Sequence, residues 1–261
     1  MELIYISKDK VFACFFCGFI SQILAQNYHK SVDNTLNIIS FLKQIIHFIQ
    51  SSINNNDLIF IKNFNNYDDL LELFPLILYS YHHQNILEII KKFNNSQHLL
   101  LLNKVITAIL ARKIDSEYSI EPIIKRLNND NLQTDNYLQL LTETITKKIS
   151  FIEVNQLFSE KIEEQYREIY QALYIFFSNP YDIEKSLQRS LYFSTKSEET
   201  TVLTGHLLGL YHGYFNLPYH WTISPEFQAK KQEIAILVDR LVALWQGKMD
   251  NRERELNEPK L

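Results

Sequence analysis

Residues 200–215 read Thr-Thr-Val-Leu-Thr-Gly-His-Leu-Leu-Gly-Leu-Tyr-His-Gly-Tyr-Phe, and three of the chain's five glycines, Gly205, Gly209 and Gly213, stand four residues apart in it. Four-residue spacing aligns side chains along one flank of an α-helix, with a drift of about 40° per step. Each interior glycine costs a helix about 1 kcal/mol against alanine. A chain this poor in glycine therefore spends them on close approach: the stripe predicts a backbone groove that admits another helix or a ligand. The segment is bracketed by Ser194-Thr195-Lys196-Ser197-Glu198-Glu199 before it and Leu217-Pro218-Tyr219-His220-Trp221 after it.

The 261 residues are 46% hydrophobic, ample for a core, and hold only 5 glycines and 6 prolines. Few breakers among many Leu, Ile, Lys, Glu and Gln predict a mostly helical fold. The net charge of −4, with lysines and arginines scattered, leaves no basic stripe for nucleic acid. Cys14 and Cys17 form a lone Cys-x-x-Cys inside Val11-Phe-Ala-Cys-Phe-Phe-Cys-Gly-Phe-Ile, without a second ligand pair or a redox-fold context. They are expected to be buried, as small hydrophobes. Two thiols without a disulfide framework fit a cytoplasmic location. The apolar run 11–25 is too short to span a bilayer and has no clean cleavage site after it, so neither a membrane anchor nor secretion is expected.

Asparagine clusters at 54–56, 63–66, 94–95 and 128–136 punctuate the chain. Asparagine suits breaks because its side chain competes for backbone hydrogen bonds and tolerates left-handed conformations. Between the clusters, periodicity predicts helices near 8–26, 35–52, 68–80, 84–93, 98–113, 119–128, 136–149, 153–178, 181–194, 198–215 and 225–246. Asp68-Asp69 and Asp182 stand at helix starts, and Pro225 fits a first turn. The helix at 11–26 is apolar nearly all round and belongs inside the bundle. Helix 153–178 presents Val154, Leu157, Phe158, Ile162, Ile169, Leu173 and Phe176 to the core. Its other face, Glu160, Lys161, Glu163, Glu164, Arg167 and Glu168, reads as solvated charge. Leu58–Ile61 is the one strand candidate. The expected architecture is all-α: a compact single-domain bundle of about ten helices over 1–246, with a charged, disordered tail at 247–261.

Taken together, the segment from Tyr170 to Trp221 resembles the C-terminal part of the ADP-ribosylglycohydrolase family, which includes the dinitrogenase-reductase-activating glycohydrolases and crystallin J1-like proteins. There an Ala-Leu helix precedes a second helix, a Gly-Gly-Asp-Thr-Asp-Thr loop, a Gly-x-x-x-Gly-x-x-x-Gly helix and an Ile-Pro…Trp segment. Ala172-Leu173, Gly205, Gly209, Gly213, Leu217-Pro218 and Trp221 occur in that order. Phe74-Pro75-Leu76-Ile77-Leu78, then Ser96-Gln97-His98, is similar to the family's Leu-Pro helix followed by Thr-His, which puts His98 on that histidine. The helix at 11–26 lies where the family has a first helix ending Gly-Asp-Ala-Leu-Gly; here that place reads Ser21-Gln22-Ile23-Leu24-Ala25.

The resemblance implies a site for two Mg²⁺ ions held by acids of the loop and of an upstream Thr-Asp-Asp-Thr. Counted back from Gly205, the loop's glycines fall on Ser194 and Thr195, its aspartates on Lys196 and Glu198, and its threonine on Glu199. Hard cations need clustered oxygen ligands, and an ammonium in the set repels them. Upstream, Val32-Asp33-Asn34-Thr35 is the nearest counterpart; Asp33 or Asn34 there reads more simply as a helix cap.

The leading expectation is therefore a divergent member that lacks the di-magnesium site and acts as a binding or interaction module, with no cofactor. Lys196 is a point charge suited to a phosphate of a nucleotide or ADP-ribose-like ligand, and Ser197, His98, Tyr211 and Trp221 are further candidate ligand contacts. An active hydrolase of ADP-ribosyl linkages is the alternative, with Glu198, Glu199 and Asp33 as candidate catalytic acids and Mg²⁺ only in that case. A helical scaffold for a protein partner is the third. Whether the chain is an enzyme stays open here, with the balance against it. Gly205, Gly209, Gly213 and Pro218 are structural. His82, His83, His206 and His212 lack zinc spacing and read as surface or groove-lining histidines, and Tyr211, Tyr214, Tyr219 and Trp221 either pack the helix end or stack an adenine.

Overall fold

The computed structural model describes residues 7–29, 38–40, 42–44, 46–47, 70–80, 88, 90–91, 96–111, 135–193 and 197–246. Every regular element among them is helical. In chain order these are α1 (Lys8–His29), α2 (Leu70–Tyr79), α3 (Ser96–Leu110), α4 (Asp135–Thr146), α5 (Phe151–Lys161), α6 (Arg167–Ser178), α7 (Ile183–Ser190), α8 (Ser197–His212), α9 (Tyr219–Ile223) and α10 (Pro225–Trp245). The helix expected at 119–128, the strand candidate Leu58–Ile61, Asp68-Asp69, His82-His83 and the tail lie outside the described residues.

α1 and α8 run antiparallel with their backbones in contact. A Cβ on Gly205 would stand 2.9 Å from the Cys17 carbonyl oxygen, and one on Gly209 would stand 2.7 Å from the Ala13 carbonyl carbon and 2.9 Å from the Cys14 Cα. Gly18 of α1 reciprocates, since a Cβ there would meet the His206 ring at 2.7 Å. The groove read from the sequence is thus real, and its occupant is another helix. Cys14 and Cys17 are free thiols buried at this contact, as expected. Burial pushes the Cys17 thiol up to about 12, so neither reactivity nor metal ligation is favoured there.

Gly213 does a different job from the one its spacing suggests. It lies beyond the end of α8 at φ +74°, a conformation that L side chains avoid, and its N–H donates to the Gly209 carbonyl at 2.9 Å. The turn it makes lets the Asp9 carboxylate accept from the Tyr214 N–H at 3.2 Å, which fastens the start of α1 to the end of α8.

The other helices pack around this pair. α6 runs parallel to α8, with the Gln171 side chain meeting Thr200 at one end and the Phe176 ring meeting Tyr211 at the other. α2 contributes Phe74, whose ring lies 4.4 Å from His206, and α10 joins α1 through a Lys8–Asp239 ion pair. α1 is long and apolar enough to cross a membrane by length and composition, yet two-thirds of its apolar window (67%) is buried in the bundle, as a core helix requires.

The helix expected at 153–178 is broken. α5 ends at Lys161, Ile162 is extended at φ −111° and ψ 129°, and a 3₁₀ turn at Glu164–Tyr166 leads into α6. The Arg167 guanidinium donates to the Ser159 carbonyl at 3.1 Å and the Ile162 carbonyl at 3.4 Å, supplying the donors that the end of α5 lacks. The apolar period continues across the break, which is why periodicity alone does not show it. One consequence is that Glu168, read as solvated, is only 7% exposed. The short α9 has no counterpart among the expected helices. Local signals elsewhere hold: the Asp182 carboxylate accepts from the Lys185 N–H at 3.0 Å, and Ser150 with Glu153 forms a capping box at the start of α5.

The α1–α8 contact makes a prediction with a decisive sign. By helix propensity alone Gly209→Ala stabilises by about 1 kcal/mol. Because the new methyl meets backbone rather than a movable side chain, the substitution is instead expected to destabilise by about 1–3 kcal/mol. Urea denaturation of the two proteins measures it, and a gain in stability refutes the backbone contact.

Candidate functional site

The first turn of α8 begins Ser197-Glu198-Glu199, acids that the positive end of a helix dipole favours. Both glutamates are half-buried. Because α1 is antiparallel to α8, its last turns arrive here, and the Gln26 side-chain amide donates to a Glu198 carboxylate oxygen at 3.0 Å. From the other side α6 brings Gln171, whose Oε1 accepts from the Thr200 hydroxyl at 3.0 Å; both residues are fully buried. α7 adds Ser190, whose hydroxyl bonds that of Thr201 at 2.9 Å. One turn further in, the Thr204 hydroxyl donates to the Thr200 carbonyl at 2.7 Å.

The cluster is thus a buried lattice of neutral dipoles capped by two half-buried carboxylates. It has one loose end among the described residues: the Gln171 Nε2 is buried without an acceptor. A buried donor left unmade costs about 1–3 kcal/mol. Glu168 lies one helical turn before Gln171 on α6, so a second buried polar group faces the same flank.

His98, in the first turn of α3, sits in an aromatic nest. Its ring stacks on Tyr166 with centroids 3.6 Å apart and meets Tyr170 edge-on, and its Nδ1 shares a 3.3 Å hydrogen bond with the Tyr170 hydroxyl. Burial lowers its pKa to about 4, which keeps the imidazole neutral. Burial also pushes the Tyr170 hydroxyl up, helped by Tyr137 and Tyr166.

The sequence candidates therefore separate. Glu198 and Glu199 share the first turn of α8, while His98 points at tyrosine. Tyr211, in the last turn of α8, lies about 20 Å along the axis from Glu198, with its ring against Phe176 and Tyr181. Trp221 is buried in α9 at that same far end, and Pro218 leads into α9. These residues pack the helix end and share no pocket with Glu198. Asp33 and Lys196 lie outside the described residues, and of Ser197 only the backbone is described. His206 is groove-lining as expected, donating from Nδ1 to the Val202 carbonyl at 2.9 Å; His212 ties the end of α8 to the Pro180 carbonyl at 2.6 Å.

The described residues hold neither Asp33 nor the loop 194–196. No three His, Cys, Asp or Glu side chains among them come together as a ligand set, and the carboxylate best placed for one, Glu198, is engaged by the Gln26 amide. Sequence reasoning missed Gln26, Gln171 and Glu168. The available signal was polarity out of place: Gln171 interrupts the apolar run Ile169–Phe176, and Gln22 and Gln26 stand one turn apart on an otherwise apolar helix.

The two buried histidines set a pH dependence. His98 and His206 both titrate near 4 in the folded chain, chiefly through desolvation, against 6.5 when solvated. Protonation therefore favours the unfolded state: the stability is full above about pH 6.5 and is lost as pH falls toward 4. Between pH 7 and 5 each contributes a loss on the order of 1–2 kcal/mol. Urea titrations at the two pH values should show it, and His98→Phe should reduce the difference; an unchanged difference refutes the neutral, buried His98.

The comparisons with known proteins cover the same elements. The sequence model described as ADP-ribosylglycohydrolase matches residues 96–251, from the start of α3 to beyond the end of α10 and more than half of the chain. Among curated proteins none matches, nor does any solved structure. An all-helical bundle whose central helix carries the glycine pattern, under a family match of this extent, settles the membership: the chain belongs to the ADP-ribosylglycohydrolase family.

Proposed function

We propose that this chain is a family member that has given up di-magnesium hydrolysis and uses the polar end of α8 to bind an ADP-ribosyl or nucleotide-like ligand. The observation that carries this reading is Lys196, the residue immediately before α8, where the resemblance puts the first metal-binding aspartate. A lysine ammonium within about 4 Å of a divalent cation is repelled by several kcal/mol at moderate dielectric. The same ammonium suits a phosphate oxygen as a point charge.

The neighbouring side chains support the reading. The Gln26 amide takes up a Glu198 oxygen that a metal site would need. Gln171 with Thr200 and Ser190 with Thr201 form buried pairs, which hold the first turn of α8 in place behind a ligand without demanding a cation. In this role Lys196 holds an anionic group, the Gln26–Glu198 pair fixes the rim, and the buried hydroxyls and amides keep the first turn of α8 rigid. The free, buried thiols accord with a reducing, cytoplasmic setting.

Three measurements on the purified chain test it. Calorimetry with Mg²⁺ is expected to show no tight two-site binding. ADP-ribosylated protein is expected to survive incubation with the chain. ADP-ribose at millimolar concentration is expected to raise the melting temperature of the wild type and not of Lys196→Ala. Hydrolysis by the wild type that disappears in Glu198→Gln overturns the loss of activity, and no melting shift at all overturns the ligand.

A further inference from the structure

The short helix α9 carries apolar side chains on both of its faces. Trp221 is buried, while Tyr219 and Ile223, four residues apart and so on one face, turn to solvent. Phe215, in the 3₁₀ turn that follows Gly213, is 86% exposed and Tyr219 is 75% exposed; Ile223 and Tyr181 are each more than half exposed. Two polar contacts bring these segments together. The His212 ring nitrogen meets the Pro180 carbonyl at 2.6 Å, which sets Tyr181 beside the end of α8, where its ring lies against Tyr211. The His220 ring nitrogen lies 3.2 Å from a Glu184 carboxylate oxygen, which sets α9 against the start of α7. Phe215, Tyr219, Ile223 and Tyr181 therefore share one apolar surface at the Gly213 end of α8.

We propose that this surface seats a second copy of the chain, packed about a two-fold axis. The size of the patch is the first argument. With about 150–250 Å² for each aromatic side chain, the four residues leave about 500 Å² of apolar surface open. One such patch against an identical one removes about 1,000 Å² in all, the size at which specific interfaces begin. The rim is the second argument. A two-fold contact needs a surface that complements itself, and beside Tyr181 the exposed acids Asp182 and Glu184 stand next to the exposed base Lys185. Across the axis an acid of one copy can face the base of the other. An anionic lipid surface calls for cations alone, and a net charge of −4 opposes it. Aromatic rings at the centre with charge at the edge are the composition of an interface core and its rim. The two ends of α8 are about 24 Å apart, so a dimer formed here leaves the first turn of α8 open on both copies. The proposal stands apart from the ligand reading of that turn.

Sedimentation equilibrium of the intact chain tests it over about 1–200 µM, where a contact of this size and micromolar Kd passes from monomer to dimer. The wild type is expected to make that passage. Phe215→Asp and Tyr219→Asp each bring two like charges into an apolar interface and are expected to weaken the dimer at least about ten-fold. Both side chains are exposed, so at the lowest concentration, where all the proteins are monomers, the variants are expected to melt as the wild type does. Ile152→Asp serves as the control. Ile152 is 80% exposed in the first turn of α5, where Phe151 packs on Phe193 beyond the other end of α7, and its substitution is expected to leave the dimer unchanged. A wild type that stays monomeric to the highest concentration overturns the proposal, and its sedimentation with phosphatidylcholine–phosphatidylserine vesicles would then assign the patch to a lipid surface. Dimers of equal strength in wild type, Phe215→Asp and Tyr219→Asp overturn it as well, because the copies then meet elsewhere. So does equal weakening by Ile152→Asp.

Discussion

The contact between the backbones of α1 and α8 sets the position of nearly every other element in the molecule. The two helices meet backbone to backbone at Gly209, and at Gly18 and Gly205 the missing side chains make room for His206 and Ser21 of the facing helix, so their register is set by shape. That register places the start of α1 at the end of α8, where Asp9 holds the Tyr214 N–H, and the end of α1 at the start of α8, where Gln26 holds Glu198. A shift of one helical turn, about 5.4 Å, would break both ties and drive a carbonyl into a neighbour. The close approach also explains the fully buried Cys14 and Cys17: a small polarizable side chain is what fits beside a helix that comes so near.

From this pair the rest of the bundle is layered outward. His206 faces Gly18 and is walled by Phe15 and Phe74, so the absent side chain of one helix is the space for the imidazole of the other. α6 lies parallel to α8 and carries Gln171 to Thr200. The polar end and the apolar length of α8 are therefore covered by the same neighbour. Buried polar groups at the first turn of α8 are tolerable because nearly all of them are paired there. The exception in this cluster, the Gln171 Nε2, marks the place where a further partner improves the accounting.

What the sequence disclosed, and what it hid, depends on the range of each signal. Spacing is local, so Gly205 and Gly209 announced a groove, and apolar composition announced that α1 is buried. The same spacing misassigned Gly213, because glycine serves both a close approach inside a helix and a positive φ just past its end. The break between α5 and α6 was hidden because Ile162 and Ile169 are a heptad apart, a distance that an unbroken helix also satisfies. Glu168 passed as a surface charge for the same reason: its face was inferred from a helix that the chain does not make. At the site, Glu198 and Glu199 were legible from the order of motifs. Gln26, by contrast, reaches Glu198 from 172 positions away, and no local pattern reports a contact of that range. Tyr211 and Trp221 looked close to the site because sequence distance along a helix is short, whereas a 16-residue helix separates its two ends by about 24 Å.

The charges around the start of α8 differ in how much each one tells. Glutamates in a first turn are favoured by the helix dipole by about 0.3–1 kcal/mol each, so Glu198 and Glu199 are accounted for by the fold and are weak testimony to a metal. A lysine immediately before a helix runs against the same preference. Lys196 therefore has no such local account, and the resemblance puts it on a metal-binding aspartate of the family, which makes it the more informative residue. The proposed ligand reading rests on that one cationic residue next to Glu198 and Glu199 in the sequence. A lysine there suits the anionic part of the proposed ligand, and the family match by itself does not supply it.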